Sequence, residues 1–230
     1  IALAFTYILF ILPENPINPF TNNLLDINSG EHIRIINIII AIWFAVFSIP
    51  TFLFVKESKK IKAINFHVIK ESFYSIATTY KKIKEFDQVV KFLVARLVYN
   101  DALITIFAFG GIYAKEVFDF TFNEIFIFGI ILNITAGAGA FLLGFLDDVI
   151  GGKNTIQISN FGFIVACVIA VVSPSINDIN VFNIVITSKS LFWFSGVLIG
   201  ICSGPNQASS RSLMARLTPK NKESEFYGFF

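Results

Sequence analysis

Asp101 is the one carboxylate set deep inside an apolar run, with Asn100 beside it and Thr105 one helical turn further along the same face. An ionisable side chain in such surroundings is costly and points by default to a path for a solute or ion. Asp101 is therefore the candidate to bind a solute or exchange a proton. Arg96 lies about 140° away around the same helix, so it is not expected to pair with Asp101 within that helix. A second polar group is Gly204-Pro205-Asn206-Gln207, followed by Arg211 and Arg216. Pro205 lacks a backbone donor, tends to kink a helix and frees a carbonyl that a cation or polar ligand could use. Asn206 and Gln207, like Asn133 on another run, suit either solute contact or hydrogen bonds between helices.

Other patterns fail on context. Gly137, Gly139 and Gly144 lie in mid-run rather than between a strand and a helix, so no dinucleotide site follows. Ala136, Ala140 and Gly144 instead form a stripe of small residues that lets another helix approach. Gly152-Lys153-Asn154-Thr155 departs from a phosphate loop, because Asp147 occupies the first glycine position and Asn154 separates Lys from Thr. Asn133-Ile134-Thr135 fits a glycosylation sequon, but in an apolar run it is out of reach of glycosyl transfer. Cys167 and Cys202 read as small packing residues, and His32 and His67 stand alone. No metal site, no cofactor and no paired nucleophile and base are proposed, and an enzyme is not expected.

The elements that must position these residues are long apolar helices. Of the 230 residues 55% are apolar and 15% charged, against roughly 45 to 50% and about 25% in soluble domains. Uncharged runs long enough to cross a bilayer occur at Ile35–Val55, Ile125–Leu146 and Ser190–Ser210, with a shorter one at Thr155–Val172. Phe92–Tyr113 is apolar apart from Arg96, Asn100 and Asp101. The expectation is an all-α, polytopic transmembrane bundle with five whole spans, plus truncated ones at Ile1–Leu12 and Phe226–Phe230. Without an initiator Met, the chain reads as a piece of a longer one whose remainder is needed for activity.

Strict alternation of the spans puts fifteen Lys and Arg residues on one side and three on the other. The basic side is expected to be cytoplasmic. Most of that charge lies in residues 56–91, where Ile61, Ile64, Val68, Ile76 and Tyr80 recur among nine lysines. That segment suits either amphipathic helices on an anionic leaflet or a solvated linker. It divides the chain into 1–55, 56–91 and 92–230. The formal net charge of +2 argues against nucleic acid as a partner.

The turn Gly144-Phe145-Leu146-Asp147-Asp148-Val149-Ile150-Gly151-Gly152-Lys153 resembles the Major Facilitator Superfamily signature G-x-L-x-D-x-x-G-x-K/R, with Val149 and Gly152 in place of its usual basic residues. RLVYNDALITIFAFGGIYA (Arg96–Ala114), GPNQASSRSLMARLTP (Gly204–Pro219) and the closing EFYGFF resemble the vacuole-effluxer-like family, related to a fungal vacuolar amino-acid effluxer. The resemblance implies a partial Major Facilitator fold, running from the end of helix five to the start of helix eleven. It places Asp101 and Asn206 on cavity-lining helices and implies alternating access between two halves. On this reading Gly144, Asp148, Gly151 and Lys153 form a cytoplasmic gate with Arg211 and Arg216. The chain has 14 Lys and only 4 Arg, so retained arginines suggest sites where a bidentate fork matters.

The expected function is secondary transport of a small polar metabolite such as an amino acid, coupled to protons, across a bacterial cytoplasmic membrane. The alternative is a receptor or scaffold on a transporter fold. Asn100, Asp101, Thr105, Asn133, Asn206 and Gln207 are the candidates for binding or coupling. The expected partners are the solute, protons and the lipid bilayer.

Overall fold

The computed structural model describes residues 6, 31–55, 70, 74, 86–176, 179–181, 184–219 and 223–230. The expected spans at 1–12 and the linker at 56–91 fall largely outside these. The chain divides into two compact units, Ile1–Ile64 and Asn65–Phe230. In the first, α1 (Glu31–Phe54) runs 24 residues with Pro50 inside it. Its large side chains, Phe44, Phe47, Phe52 and Phe54 among them, are exposed. An apolar helix that exposes such side chains suits a lipid environment.

The second unit is built from α2 (Asp87–Phe118), α3 (Phe122–Leu143), the short α4 (Leu146–Ile150), α5 (Gly152–Val172), α6 (Ser188–Leu217) and the short α7 (Glu223–Tyr227). A small antiparallel hairpin, β1 (Ile179–Val181) and β2 (Ile184–Ile186), lies between α5 and α6, with Ile179 opposite Ile186. This hairpin was not expected from the apolar runs. The fold is otherwise all-α, as the sequence implied.

Local chemistry sets the helix ends. At the α2–α3 corner Asp119 takes a left-handed φ of 51°, and Thr121 forms a capping box with Glu124. The Glu124 N–H donates to Thr121 Oγ1 at 3.3 Å, and the Thr121 N–H donates to Glu124 Oε2 at 2.8 Å. Gly151, with φ 85°, turns α4 into α5 through a conformation that side chains resist. Pro174, in a short 3-10 turn, ends α5. Thr187 caps α6 by accepting from the Ser190 N–H at 3.1 Å.

Four described segments are long and apolar enough to cross a membrane: Arg34–Phe54, Asp87–Phe118, Phe122–Leu143 and Gly152–Ser175. The fifth expected span falls within α6, which at 30 residues is long enough, about 45 Å, but too polar in its second half to pass on composition. Its packing explains the difference. Helix α6 is held against α3 on one side and α5 on the other, and Ser195, Ser203, Asn206, Ser209 and Ser210 are all buried. A helix shielded by other helices need not be as apolar as one facing lipid.

The α3–α6 seam is close at the backbone level. A side chain at Gly204 would collide with the Ala136 carbonyl and stand 2.6 Å from Ala140 N, and one at Gly200 would collide with Thr135. Gly139 faces the Ile201 carbonyl in the same way. The expected stripe of small residues on α3 is thus used at Ala136 and Ala140, and Gly139, outside that expectation, joins them. Gly144 is not part of it, since a Cβ there would meet only the Ala140 carbonyl of the preceding turn. The matching stripe Gly196-x-x-x-Gly200-x-x-x-Gly204 was readable in the sequence and was missed. In lipid such contacts, rather than exclusion of water, hold helices together.

Candidate functional site

At one end of the second unit the α3–α5 turn meets the end of α6. Arg216 Nη2 donates to Asp147 Oδ2 at 3.1 Å and stands 3.8 Å from Asp148 Oδ1. The Asp147 side chain is 12% exposed and that of Asp148 is 82% exposed. The sequence reading put the gate carboxylate at Asp148. The shorter and better shielded contact belongs to Asp147, because the short helix α4 turns Asp147 toward α6 and leaves Asp148 at the surface. Gly152 is explained by the same contact, since a Cβ there would lie 2.7 Å from Asp147 Oδ1. Asp147 Oδ1 and Ser209 Oγ are buried without a hydrogen-bond partner among the described residues. Lys153 is exposed beyond this turn, and Arg211 is exposed with no carboxylate within ion-pair distance among the described residues.

About two to three turns deeper along α6 from Arg216, side chains tie α6 to α2 and α5. Asn206 is buried and its Nδ2 donates to Asn160 Oδ1 on α5 at 2.9 Å. Of the two roles open to Asn206, the structure displays the interhelical hydrogen bond. Ser210 Oγ donates to the Asn206 carbonyl at 2.6 Å and lies 2.8 Å from the Tyr99 hydroxyl. The single Ser210 proton is committed to that carbonyl, so Tyr99 is the donor across the α2–α6 interface. Gln207, next to Asn206, is exposed.

Pro205 does not leave a carbonyl open to ligand. The carbonyl one turn back, at Ile201, lies over Gly139 of α3 so closely that any side chain there would collide with it. A Cα–H contact from glycine suits a carbonyl deprived of its helical donor.

The remaining candidates divide between two cavities of the second unit. Asn100 and Asp101 line one of about 290 Å³ together with Arg96, Leu97 and Phe230. Asp101 sits near the middle of the 32-residue α2, is exposed, and has no cation within ion-pair distance among the described residues. Thr105 and Asn133 line the other, about 450 Å³ between α2, α3, α5 and α6, among Phe109, Phe128, Phe192 and Ile199. Thr105 Oγ1 donates to the Asp101 carbonyl at 2.9 Å, and Asn133 Nδ2 to the Gly129 carbonyl at 2.8 Å. Both therefore spend a donor on their own helix, and that cavity is largely apolar.

Arg96 was considered in the sequence only as a non-partner of Asp101, yet it lines the same cavity. Its guanidinium carbon is 3.3 Å from the centroid of the Phe230 ring. Tyr99, Asp147 and Asn160 were also missed. Their partners lie 46 to 111 residues away, a separation that local spacing does not encode.

The far end of the unit is closed by aromatic rings. Phe118, Phe120, Phe128 and Phe192 form one buried cluster, with Tyr113 donating to the Ala170 carbonyl at 3.2 Å. Lys189 pairs with Glu124 and lies over the Phe120 ring. Ion pairs thus join α6 to α3 at this end and to the α3–α5 turn at the other.

Apolar helices of membrane length packed at a glycine-tight seam define a polytopic membrane protein. The family model described as "Vacuole effluxer Atg22 like" matches residues 3–230, and the chain belongs to that family. The chain is 26% identical over 192 residues to the "Uncharacterized MFS-type transporter YxiO" of Bacillus subtilis (strain 168), covering 84% of this chain and 41% of that protein. It is 20% identical over 218 residues to "Autophagy-related protein 22" of Yarrowia lipolytica (strain CLIB 122 / E 150), covering 86% of this chain and 36% of the other. The chain therefore spans about two fifths of the length of these curated relatives. None of the matched names is that of an enzyme. No solved structure matches at a significant level.

Proposed function

We propose that the complete protein is a secondary active transporter that moves a small polar metabolite, such as an amino acid, by alternating access. Its membrane is the cytoplasmic membrane of a bacterium, with the Asp147 end facing the cytoplasm. One relative is named an MFS-type transporter, and the family description names an effluxer. The observation that carries the reading is Asp101, a carboxylate midway along a membrane-length helix that lines a cavity with Asn100 and Arg96 and has no cation within ion-pair distance among the described residues. A charge at that depth of a span is tolerated where water or solute reaches it. Residues 1–55 end one transmembrane half, 56–91 link the halves at the cytoplasmic face, and 92–230 begin the second half.

In this mechanism Asp101 takes up and releases a proton, while Asn100, Thr105, Asn133 and Gln207 meet the solute. Asn206 keeps α6 in register with α5. Arg216 with Asp147 and Asp148 holds the cytoplasmic gate. The unpartnered Asp147 Oδ1 and Ser209 Oγ support a gate that changes partners, since a buried polar atom without a hydrogen bond costs about 1 to 3 kcal/mol and favours any state that supplies one. Gly144, Gly151 and Lys153 shape the turn that carries the gate.

The test is uptake of radiolabelled amino acids into liposomes containing the full-length protein, with and without a pH gradient. Asp101→Asn is expected to abolish gradient-driven accumulation while leaving downhill exchange measurable. Accumulation at the normal rate by that variant would remove Asp101 from the mechanism.

A further inference from the structure

The polar cavity on α2 holds one cation and one anion that do not pair. Arg96 and Asp101 both line it, with Asn100 from the same helix and Phe229 and Phe230 from beyond α7. Five residues of helix set the two charges about 7.5 Å apart along the axis and about 140° apart around it. On the same count Asn100 falls about 40° from Arg96 and about 100° from Asp101, inside the arc that the two charges bound. Arg96 and Asp101 thus stand at opposite edges of one helix face with an amide between them. Neither has an ion-pair partner among the described residues, whereas Arg216 near the end of α6 has two.

Each charge keeps its capacity to bind. The Arg96 guanidinium carbon lies 3.3 Å from the centroid of the Phe230 ring. A separation that short requires the two planes to lie nearly parallel, since a tilted fork would drive a nitrogen into the ring. The N–H donors, which lie in the plane of the fork, are then directed past the ring edge. Such a fork matches the two oxygens of a carboxylate or a phosphate. Asp101 is exposed, and an ionised carboxylate only accepts, so it calls for a cationic donor.

We propose that Arg96, Asn100 and Asp101 form a two-pole site for a ligand with an anionic group at one end and an ammonium at the other. Arg96 takes the carboxylate or phosphate, and Asp101 takes the ammonium. Two hydrogen bonds of about 3 Å each, together with the span of a small ligand, bridge an interval too wide for the two side chains to close within one helix. Arg96 then sets the specificity, because no other cation lines this cavity among the described residues. Where the ligand is the transported amino acid, the proposal rests on the transporter reading and deepens it, giving the solute carboxylate to a residue which that reading leaves without a role. The same two charges occur on a phosphatidylethanolamine headgroup.

The experiment measures thermal unfolding of the full-length protein in phosphatidylcholine nanodiscs titrated with each protein amino acid, as the free acid, as its carboxamide and as its N-acetyl derivative. The expected result is a saturable rise in midpoint with at least one free acid, with apparent affinity about tenfold weaker for its carboxamide and for its N-acetyl form. In R96Q the free acid should bind no better than the carboxamide, in D101N no better than the N-acetyl form, and K115Q should behave as the unaltered protein. A second arm adds phosphatidylethanolamine to the disc. A rise in that arm which R96Q and D101N each remove, with no response to any amino acid, supports the site with a lipid ligand. No response in either arm, or an acid-to-amide ratio that R96Q leaves unchanged, overturns it. Should R96Q not fold, R96K keeps the charge and loses the fork; a smaller ratio supports the site and an unchanged one overturns it. Uptake is scored separately. Arg96-dependent binding without transport defeats the transporter reading and leaves this site standing, and transport with a ratio indifferent to R96Q does the reverse.

Discussion

Helix α6 meets α3 and α2 in opposite ways. Against α3 the contact is backbone on backbone, with Gly200 and Gly204 fitted over Leu132, Thr135, Ala136 and Ala140, and ion pairs tie α6 at Glu124 and at Asp147. Against α2 the contact is made by side chains: among the described residues a hydrogen bond from Tyr99 to Ser210, Leu103 against Ile199, Phe118 stacked on Phe192 and Val89 beside Met214, with one cavity between the helices. The glycines carry the same contrast. Gly110, on α2, has nothing within 4 Å of where its Cβ would be, so no packing need accounts for it. Close-packed seams resist sliding, and loosely filled faces allow it. Helix α6 is thus joined to α3 backbone on backbone and to α2 through side chains, the looser of the two contacts.

The largest expected effects test that contrast through the glycines. Gly204→Ala should destabilise the protein by about 1 to 3 kcal/mol, because the added methyl has no room at the seam. Gly110→Ala should instead stabilise α2 by about 0.5 to 1 kcal/mol through helix propensity alone. Unfolding of both variants in one detergent checks the pair, and equal losses would break the comparison.

The next effect concerns the turn that ties α6 to α3. Asp147→Ala should cost about 1 to 2 kcal/mol, less than a fully buried charged hydrogen bond because Arg216 is half open to solvent. Asp148→Ala should cost under about 0.5 kcal/mol, as expected of an exposed partner at 3.8 Å. Equal costs in thermal unfolding would restore Asp148 as the principal partner. The smallest effect belongs to the loose face. Tyr99→Phe should cost about 1 kcal/mol or less, since Ser210 keeps its bond to the Asn206 carbonyl. It should also quicken hydrogen exchange in α2 more than in α3, and uniform quickening would show that the two faces are coupled.

The spans were legible in the sequence because membrane crossing imposes a length and an absence of charge. The runs from Phe92, Thr155 and Ser190 each fall within one long helix, and those from Ile35 and Ile125 overrun theirs by one and three residues. The hairpin at 179–186 was not legible, because three-residue strands carry too little alternation to stand out from apolar sequence. At the candidate site, Asp101 stands out by its depth alone, a one-dimensional property. Asp147 was passed over in favour of Asp148 because two adjacent carboxylates are told apart by the direction α4 gives them, which spacing does not contain. Pro205 was read as opening a carbonyl because the sequence of α6 says nothing of Gly139 lying over Ile201. Arg96 escaped notice because the ring it lies over, Phe230, is distant in the chain.

Labelling with a membrane-impermeant thiol reagent tests the central claim most directly, using full-length protein with Cys167 and Cys202 replaced by Ser. A cysteine at 101 should react, while one at Ser203, buried in α6, should stay unmodified. Silence at 101 under every condition in which solute or a pH gradient is applied would contradict the placement of α2 beside an aqueous path.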